Sequence, residues 1–318
     1  MNNLDTKLLR DVISGNRRAT ASMISLIERG GKDAGSCQKL LQEHTGRAWR
    51  IGITGPPGAG KSSLVAELTK IFRSHSKRVG IVAVDPSSPL TKGAVLGDRI
   101  RMPELDSDAD VFIRSVATRG ETTGLSLETS SIGDVLDAAG FDIVMIETTG
   151  IGQVEIQVAS LVDTTVVVLV PESGDQVQAI KAGMMEIADI YLLNKCDRPG
   201  SKTALALLNS ALRFERKNTN GWQTKAVGTS ASKSEGILSA WEVLHRHRDY
   251  LMKNDRLTKR RFVQLEGRIK MKVNEILRED LWSHEREQML KNTIRDVFNN
   301  QTTILDSAES IVSNFRNS

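Results

Sequence analysis

Gly55-Pro-Pro-Gly-Ala-Gly-Lys-Ser62 is the stretch of this chain with the most legible chemistry. It fits the pattern G-x-x-x-x-G-K-[ST] at every fixed position. Glycines let a loop turn successive backbone N–H groups inward, and such a ring of N–H groups holds phosphate oxygens. A helix that starts where the loop ends adds partial positive charge. Lys61 would reach the β- and γ-phosphates, and the Ser62 hydroxyl would ligate Mg²⁺. Gly55, Gly58, Ala59, Gly60 and Ser63 complete the candidate cradle. The plainer alternative is a glycine-rich turn. The flanks argue against it, because an apolar run at 50–54 precedes the loop and a helical stretch at 62–72 follows it.

A polyphosphate site also needs carboxylates around its metal. Asp85 follows the apolar run 79–84, and Glu147 closes the run 143–147. Glu147-Thr-Thr-Gly150 has the form of the D-x-x-G element of GTPases, with Glu in place of Asp. A carboxylate there can hold a magnesium-bound water, and the Gly150 N–H can bond the γ-phosphate. Lys61, Glu147 and Gly150 are therefore the candidate catalytic groups. Ras-like enzymes carry Gln directly after D-x-x-G, whereas this chain has Ile151, with Gln153 nearby. Slow intrinsic hydrolysis is the expectation.

Asn194-Lys-Cys-Asp197 follows another apolar run and matches N-K-x-D. The Asp197 carboxylate can accept two hydrogen bonds from guanine, at N1–H and the 2-amino group. Adenine offers neither, so such a site rejects it for a polar reason. The stem of Lys195 can cover the base. Thr229-Ser230-Ala231 also follows a run, where a loop contacting guanine O6 would lie. The alternative for Asn194 and Asp197 is a turn and a helix cap. GTP or GDP with Mg²⁺ is the expected ligand set.

These residues need elements that carry them to one place. Val- and Ile-rich runs at 50–54, 79–84, 111–116, 143–147, 165–170, 190–194 and 226–229 alternate with helical stretches. Continuous apolar runs of this length read as strands buried on both faces. The alternation predicts an α/β fold, a mostly parallel sheet with helices on both faces. Ligands in such sheets sit outside the carboxyl ends of the strands, where Asp85, Glu147 and Asn194 all fall. Residues 1–48 read as helical, with Gly30-Gly31 breaking the run. Beyond about 241 no strand pattern remains. Phe262, Leu265, Ile269, Val273 and Ile276 recur at helical spacing, as in a helical cap or a dimerisation arm. The expected organisation is an N-terminal helical segment at 1–48, a P-loop GTPase domain at 49–250 and a C-terminal helical arm at 251–318.

Four further stretches carry a family likeness. They are Asp85-Pro-Ser-Ser-Pro89, Gly97-Asp-Arg-Ile-Arg-Met102, Glu147-Thr-Thr-Gly-Ile-Gly-Gln-Val-Glu155 and Gly174-Asp-Gln-Val-Gln-Ala-Ile-Lys-Ala-Gly183. With the P-loop they resemble the MeaB/ArgK family, GTPases associated with methylmalonyl-CoA mutase and formerly labelled LAO/AO transport ATPases. The resemblance covers nearly the whole chain. It implies a homodimeric G protein that escorts an adenosylcobalamin-dependent acyl-CoA mutase, gating cofactor loading and protecting or reactivating the mutase. It further implies that Asp85, Asp98 and Glu147 lie around Mg²⁺, that 97–102 is a nucleotide-sensing loop, and that Asp175, Gln178 and Lys181 belong to a switch that contacts the mutase. Lys92, Glu121-Thr-Thr-Gly124 and Gln223-Thr-Lys225 depart from the usual family pattern.

Composition bounds the alternatives. The 318 residues carry a net charge of only +4, with the basic residues scattered, and no nucleic-acid module is visible. Cys37 and Cys196 lie far apart and the chain has five histidines with no His-rich tract. That speaks against the nickel metallochaperone GTPases, which need soft or imidazole ligands. A nucleotide-binding scaffold without turnover is a third reading, opposed by the intact Lys61, Ser62 and Glu147. No apolar run approaches the ~20 residues of a membrane span. No signal-peptide core is visible, so a cytoplasmic protein is expected.

Overall fold

The computed structural model describes residues 3–85, 102–117, 127–148, 160–171, 187–214 and 221–317. Each of the seven apolar runs forms a strand: β1 Trp49–Thr54, β2 Val79–Asp85, β3 Val111–Ala117, β4 Ile143–Glu147, β5 Thr164–Leu169, β6 Ile190–Leu193 and β7 Lys225–Gly228. They make one sheet in the order β3-β2-β4-β1-β5-β6-β7, and every pairing is parallel. All positions of β4, β5 and β6 are buried, which is why their sequences show no polar alternation. The chain builds outward from β1 to β3, returns to place β4 beside β1, and then builds outward on the other side. That reversal opens a crevice at the carboxyl end of β1.

Helices α1 Asn3–Ile13, α2 Arg17–Arg29 and α3 Gly31–Leu41 precede the sheet. Asn16 caps α2 by accepting from the N–H groups of Arg18 and Ala19, and α2 buries Ala19, Met23, Ile24 and Ile27 at helical spacing. The sheet is then crossed by α4 Lys61–Ser74, α5 Pro103–Asp106, α6 Leu127–Ala138, α7 Ser201–Phe214 and α8 Ile237–Met252. Side chains alternate across β5. Val166 and Val168 pack with Leu64, Leu68 and Leu244 of α4 and α8, whereas Val167 and Leu169 pack with Ala204 and Leu208 of α7.

The amino edge of the sheet is held by buried charge pairs. Asp163 accepts from the Arg50 N–H at 3.0 Å and takes a bidentate pair from Arg261 at 2.8 and 2.7 Å. Asp189 accepts from the Thr165 N–H at 2.8 Å and takes a second bidentate pair from Arg260 at 2.9 and 2.8 Å. Asp137 accepts from the N–H groups of Gly46, Arg47 and Ala48. Between these sites the Trp49 indole donates to the Thr164 hydroxyl at 2.9 Å, and that hydroxyl lies 3.0 Å from His247 Nδ1. The other ring nitrogen of His247, Nε2, lies 3.4 Å from Asp189 Oδ1.

Two compact units divide the chain, residues 1–264 and 265–318. The second holds most of α9 Arg256–Leu281, with α10 His284–Phe298 and α11 Ile304–Arg316. Among its described residues only Arg286 and Ile311 are buried. Arg286 donates to the carbonyls of Leu281 and Asp280 at 2.5 and 2.7 Å and to Asn314 at 3.1 Å, and lies over the Phe315 ring. One guanidinium thus caps α9 and joins it to α11. None of the described helices is long and apolar enough to cross a membrane.

Burial would raise the Asp189 carboxyl, but the His247 hydrogen bond and the Arg260 charge outweigh it and hold it at about 2, below the ordinary 3.8. The resulting stabilisation is complete above pH ~4 and fades as pH falls towards 2. Asp189→Asn is expected to lose on the order of 2 kcal/mol at neutral pH. In urea denaturation followed by circular dichroism, wild type and variant should converge as the solution is acidified; a constant gap would count against this pairing.

Candidate nucleotide site

The loop between β1 and α4 is confined on both sides. Gly55 has φ of 140°, and a Cβ there would lie 2.1 Å from the Val168 carbonyl oxygen of β5. Gly60 has φ of 87°, and a Cβ there would lie 2.4 Å from Asn194 Nδ2. Only glycine meets both demands, left-handed backbone and close approach. Gly58 is also left-handed and is exposed, while Ala59 is buried and its N–H donates to the Pro56 carbonyl at 3.2 Å. Gly60 caps α4, so the first N–H groups of that helix face the loop.

Lys61 is buried, and its ammonium donates to the carbonyls of Gly55 and Pro56 at 2.8 and 3.0 Å. The side chain therefore folds back over the loop interior. Ser62 donates its hydroxyl to Glu147 Oε1 at 2.7 Å. Glu147 is 6 % exposed and ends β4 level with Ile53 of β1. The next residue ties the same two strands: the Thr148 N–H donates to the Ile53 carbonyl at 3.0 Å, and its hydroxyl to Thr54 Oγ1 at 2.9 Å. Ser63 points to solvent on α4.

Asn194 joins the loop to the other half of the site. Its Nδ2 donates to the Ala59 carbonyl at 2.8 Å, and its Oδ1 accepts from the Ala231 N–H at 3.1 Å and the Thr229 hydroxyl at 3.3 Å. Lys195 takes a left-handed turn with φ of 60°. Asp197 is exposed and accepts from the Ser230 hydroxyl at 2.7 Å, a bond that, ahead of its other causes, lowers the carboxyl pKa. The segment is tied down by the Cys196 N–H donating to the Thr229 carbonyl at 2.9 Å and the Thr229 N–H to Leu193 at 2.8 Å.

The fold thus brings Gly55, Gly58, Ala59, Gly60, Lys61, Ser62, Glu147, Asn194, Lys195, Asp197, Ser230 and Ala231 to one end of the sheet. Asp85 closes β2 two residues beyond Ala83, which pairs with Glu147; only its backbone is described. Asp98, Gly150, Asp175, Gln178 and Lys181 lie outside the described residues. Two contributions were not anticipated. Thr148 and Thr229, read in the sequence only as members of the 147–150 and 229–231 stretches, each fasten the end of a strand to a neighbour. Asn194 acts as a tie between loops rather than as a turn residue.

The donor set has a definite preference. A serine hydroxyl beside a carboxylate offers hard oxygens, which suit Mg²⁺ rather than a soft metal. Among the described residues no group of three or more His, Cys, Asp or Glu is placed to hold a metal ion. Mg²⁺ needs few protein ligands, because phosphates and waters fill the rest of its shell.

The family model for the methylmalonyl Co-A mutase-associated GTPase MeaB matches residues 20–287. The chain belongs to the MeaB family. It is 33 % identical over 300 residues to the GTPase ArgK of Escherichia coli K12, spanning 92 % of this chain and 91 % of that protein. It is 32 % identical over 275 residues to the mouse mitochondrial methylmalonic aciduria type A homolog, spanning 81 % of this chain and 66 % of the relative. Among solved structures it resembles the LAO/AO transport system kinase, with a TM-score of 0.74, 26 % identity and coverage of 100 % and 99 % of the two chains. A MeaB-family chain is a P-loop GTPase, as the loop and N-K-x-D spacing predict. The resemblance read from its motifs is borne out.

Asn194→Ala would leave the Ala59 carbonyl and the Ala231 N–H without this partner. It is expected to cost about 1–3 kcal/mol of stability in chemical denaturation. Guanine-nucleotide affinity, measured by calorimetry, should fall by about tenfold or more, since loop and base side lose their common tie.

Proposed function

We propose that this MeaB-family protein hydrolyses GTP with Mg²⁺ and uses its nucleotide state to control an adenosylcobalamin-dependent acyl-CoA mutase of the methylmalonyl-CoA mutase type. The observation that carries the enzymatic half is the Ser62–Glu147 contact at 2.7 Å beside Lys61. In this reading the N–H groups of Gly55 and of residues 58–63, with the ammonium of Lys61, hold the phosphates. Ser62 is a direct metal ligand, and Glu147 acts with Asp85 and Asp98 on the metal's water shell. When bound, Mg²⁺ neutralises charge developing on phosphate oxygens. Asp197, aimed by Ser230, reads the purine edge, and Lys195 covers the base. The Gly150 N–H senses the γ-phosphate.

No glutamine follows Gly150, so turnover without a partner should be slow. Wild-type phosphate release is expected below ~1 s⁻¹. Lys61→Ala should abolish it, and Glu147→Gln should raise the Mg²⁺ concentration needed for half-maximal rate. Faster basal turnover, or unaltered release by Lys61→Ala, would sink this assignment.

The partner half is supported by the family and by the mouse relative, whose name refers to methylmalonic aciduria. Nucleotide controls a partner only through contacts that differ between two states, and Asp175, Gln178 and Lys181 are proposed to make them. The protein gates cofactor loading and protects or reactivates the mutase. A homodimer built through the C-terminal helices is supported by Leu265, Ile269, Val273 and Ile276, all exposed and spaced along one face of α9. In sedimentation velocity the protein should run as a dimer. Its affinity for a methylmalonyl-CoA mutase should differ between GDP and a non-hydrolysable GTP analogue by about fivefold or more. Equal affinities would overturn the switch.

A further inference from the structure

Glu147 is the last residue of β4, level with Ile53 of β1 on one side and Ala83 of β2 on the other. The end of a ladder is where it opens most easily, unless the chain beyond it is also held. Thr148 is held twice. Its N–H donates to the Ile53 carbonyl at 3.0 Å, and its hydroxyl donates to Thr54 Oγ1 at 2.9 Å. Thr54 is the residue before Gly55, and its strand partner is Val167 of β5. The hydroxyl pair therefore crosses from β4 to the root of the phosphate loop at a level where the β1–β4 register has already ended. Thr54 is 0 % and Thr148 1 % exposed, so the pair is sealed from solvent and acts on what its backbone carries.

What that backbone carries is the Glu147 carboxylate, which meets the Ser62 hydroxyl at 2.7 Å. A displacement of about 1 Å would take that contact out of hydrogen-bonding range. We propose that Thr54 and Thr148 are positioning residues for the magnesium site, holding the end of β4 so that Glu147 stays within reach of Ser62. This rests on the reading of Ser62 and Glu147 as the pair that holds Mg²⁺. Valine has the shape of threonine without the hydroxyl, and it separates alignment from simple stability. One valine leaves the facing hydroxyl buried without this partner, whereas two leave neither hydroxyl in place. A stability role is thus relieved in the double variant, and a lost alignment is not.

Calorimetric Kd values for a non-hydrolysable GTP analogue should be measured with Mg²⁺ and with EDTA in its place. Their ratio is the gain in affinity that the metal supplies. Thr148→Val and Thr54→Val should each reduce that gain by about fivefold, with the affinity in EDTA changed by less than about twofold. Thr148→Ser keeps the hydroxyl and should hold the gain within about twofold of wild type. In urea denaturation the double valine variant should lose less stability than the two single losses added together, yet its metal gain should stay as low as in either single variant. The inference falls if Thr148→Val, with native circular dichroism, keeps the wild-type gain or weakens binding equally with and without the metal. It falls also if the double variant regains what the single variants lost. Should the single variants fail to fold, a wild-type gain in the double variant overturns it instead. Wild type binding the analogue equally in Mg²⁺ and in EDTA would remove the reading of Ser62 and Glu147 itself, and this inference with it.

Discussion

Ser62 and Glu147 meet at 2.7 Å only because β1 and β4 pair in parallel with Ile53 level with Glu147. Antiparallel pairing would put the end of one strand beside the start of the other, and hydroxyl and carboxylate would lie at opposite edges of the sheet. The same register fixes the other wall of the loop. β5 lies on the far side of β1, and its Val168 carbonyl comes so close to Gly55 that no side chain fits between them. A phosphate-sized loop is therefore squeezed between the ends of two neighbouring strands. Burial explains why the polar groups collect there. β4, β5 and β6 are covered on both faces, so a polar side chain within them is desolvated and must find a partner inside the protein, as Thr164 and Glu147 do. Thr148, Asn194 and Thr229 each stand one residue past a strand, at the first position where hydrogen bonding to neighbouring loops is open.

Asn194 turns these separate strand ends into one site. Its amide has two N–H donors and a carbonyl with two acceptor sites. One N–H is used on the phosphate loop, and the carbonyl is used twice on the loop after β7. No aliphatic residue could make both connections, and a carboxylate would repel the Ala59 carbonyl. The tie consists of protein atoms alone, so the distance between phosphate side and base side is set before any ligand enters, and less ordering is left for binding to impose.

The strands were legible in the sequence because buried parallel strands leave continuous apolar runs. Every observed strand bound falls within a residue of the one expected. The loop was legible because its close approaches admit only glycine at set places. The amino-edge network was not. Asp163, Asp189, Arg260 and Arg261 are spread over a hundred positions and share no local period, and only the sheet order brings them together. A motif names residue types without saying which way they face, so N-K-x-D carried no hint that Asn194 looks back at Ala59.

The C-terminal unit presents the opposite physical problem from the sheet. It spans residues 265–318, yet its described part buries only Ile311 and Arg286. Leu265, Ile269, Val273 and Ile276 recur at helical spacing and stay exposed, while Glu266–Lys270 and Lys272–Glu275 pair along the helix. Surface pairs of that kind contribute a few tenths of a kcal/mol each, too little to hold three helices together. Arg286 fastens the ends of α9 and α11 but leaves the apolar face of α9 uncovered. A second copy related by a two-fold axis would offer the same apolar row in return, so the face could cover itself without any surface having to be made specially for it.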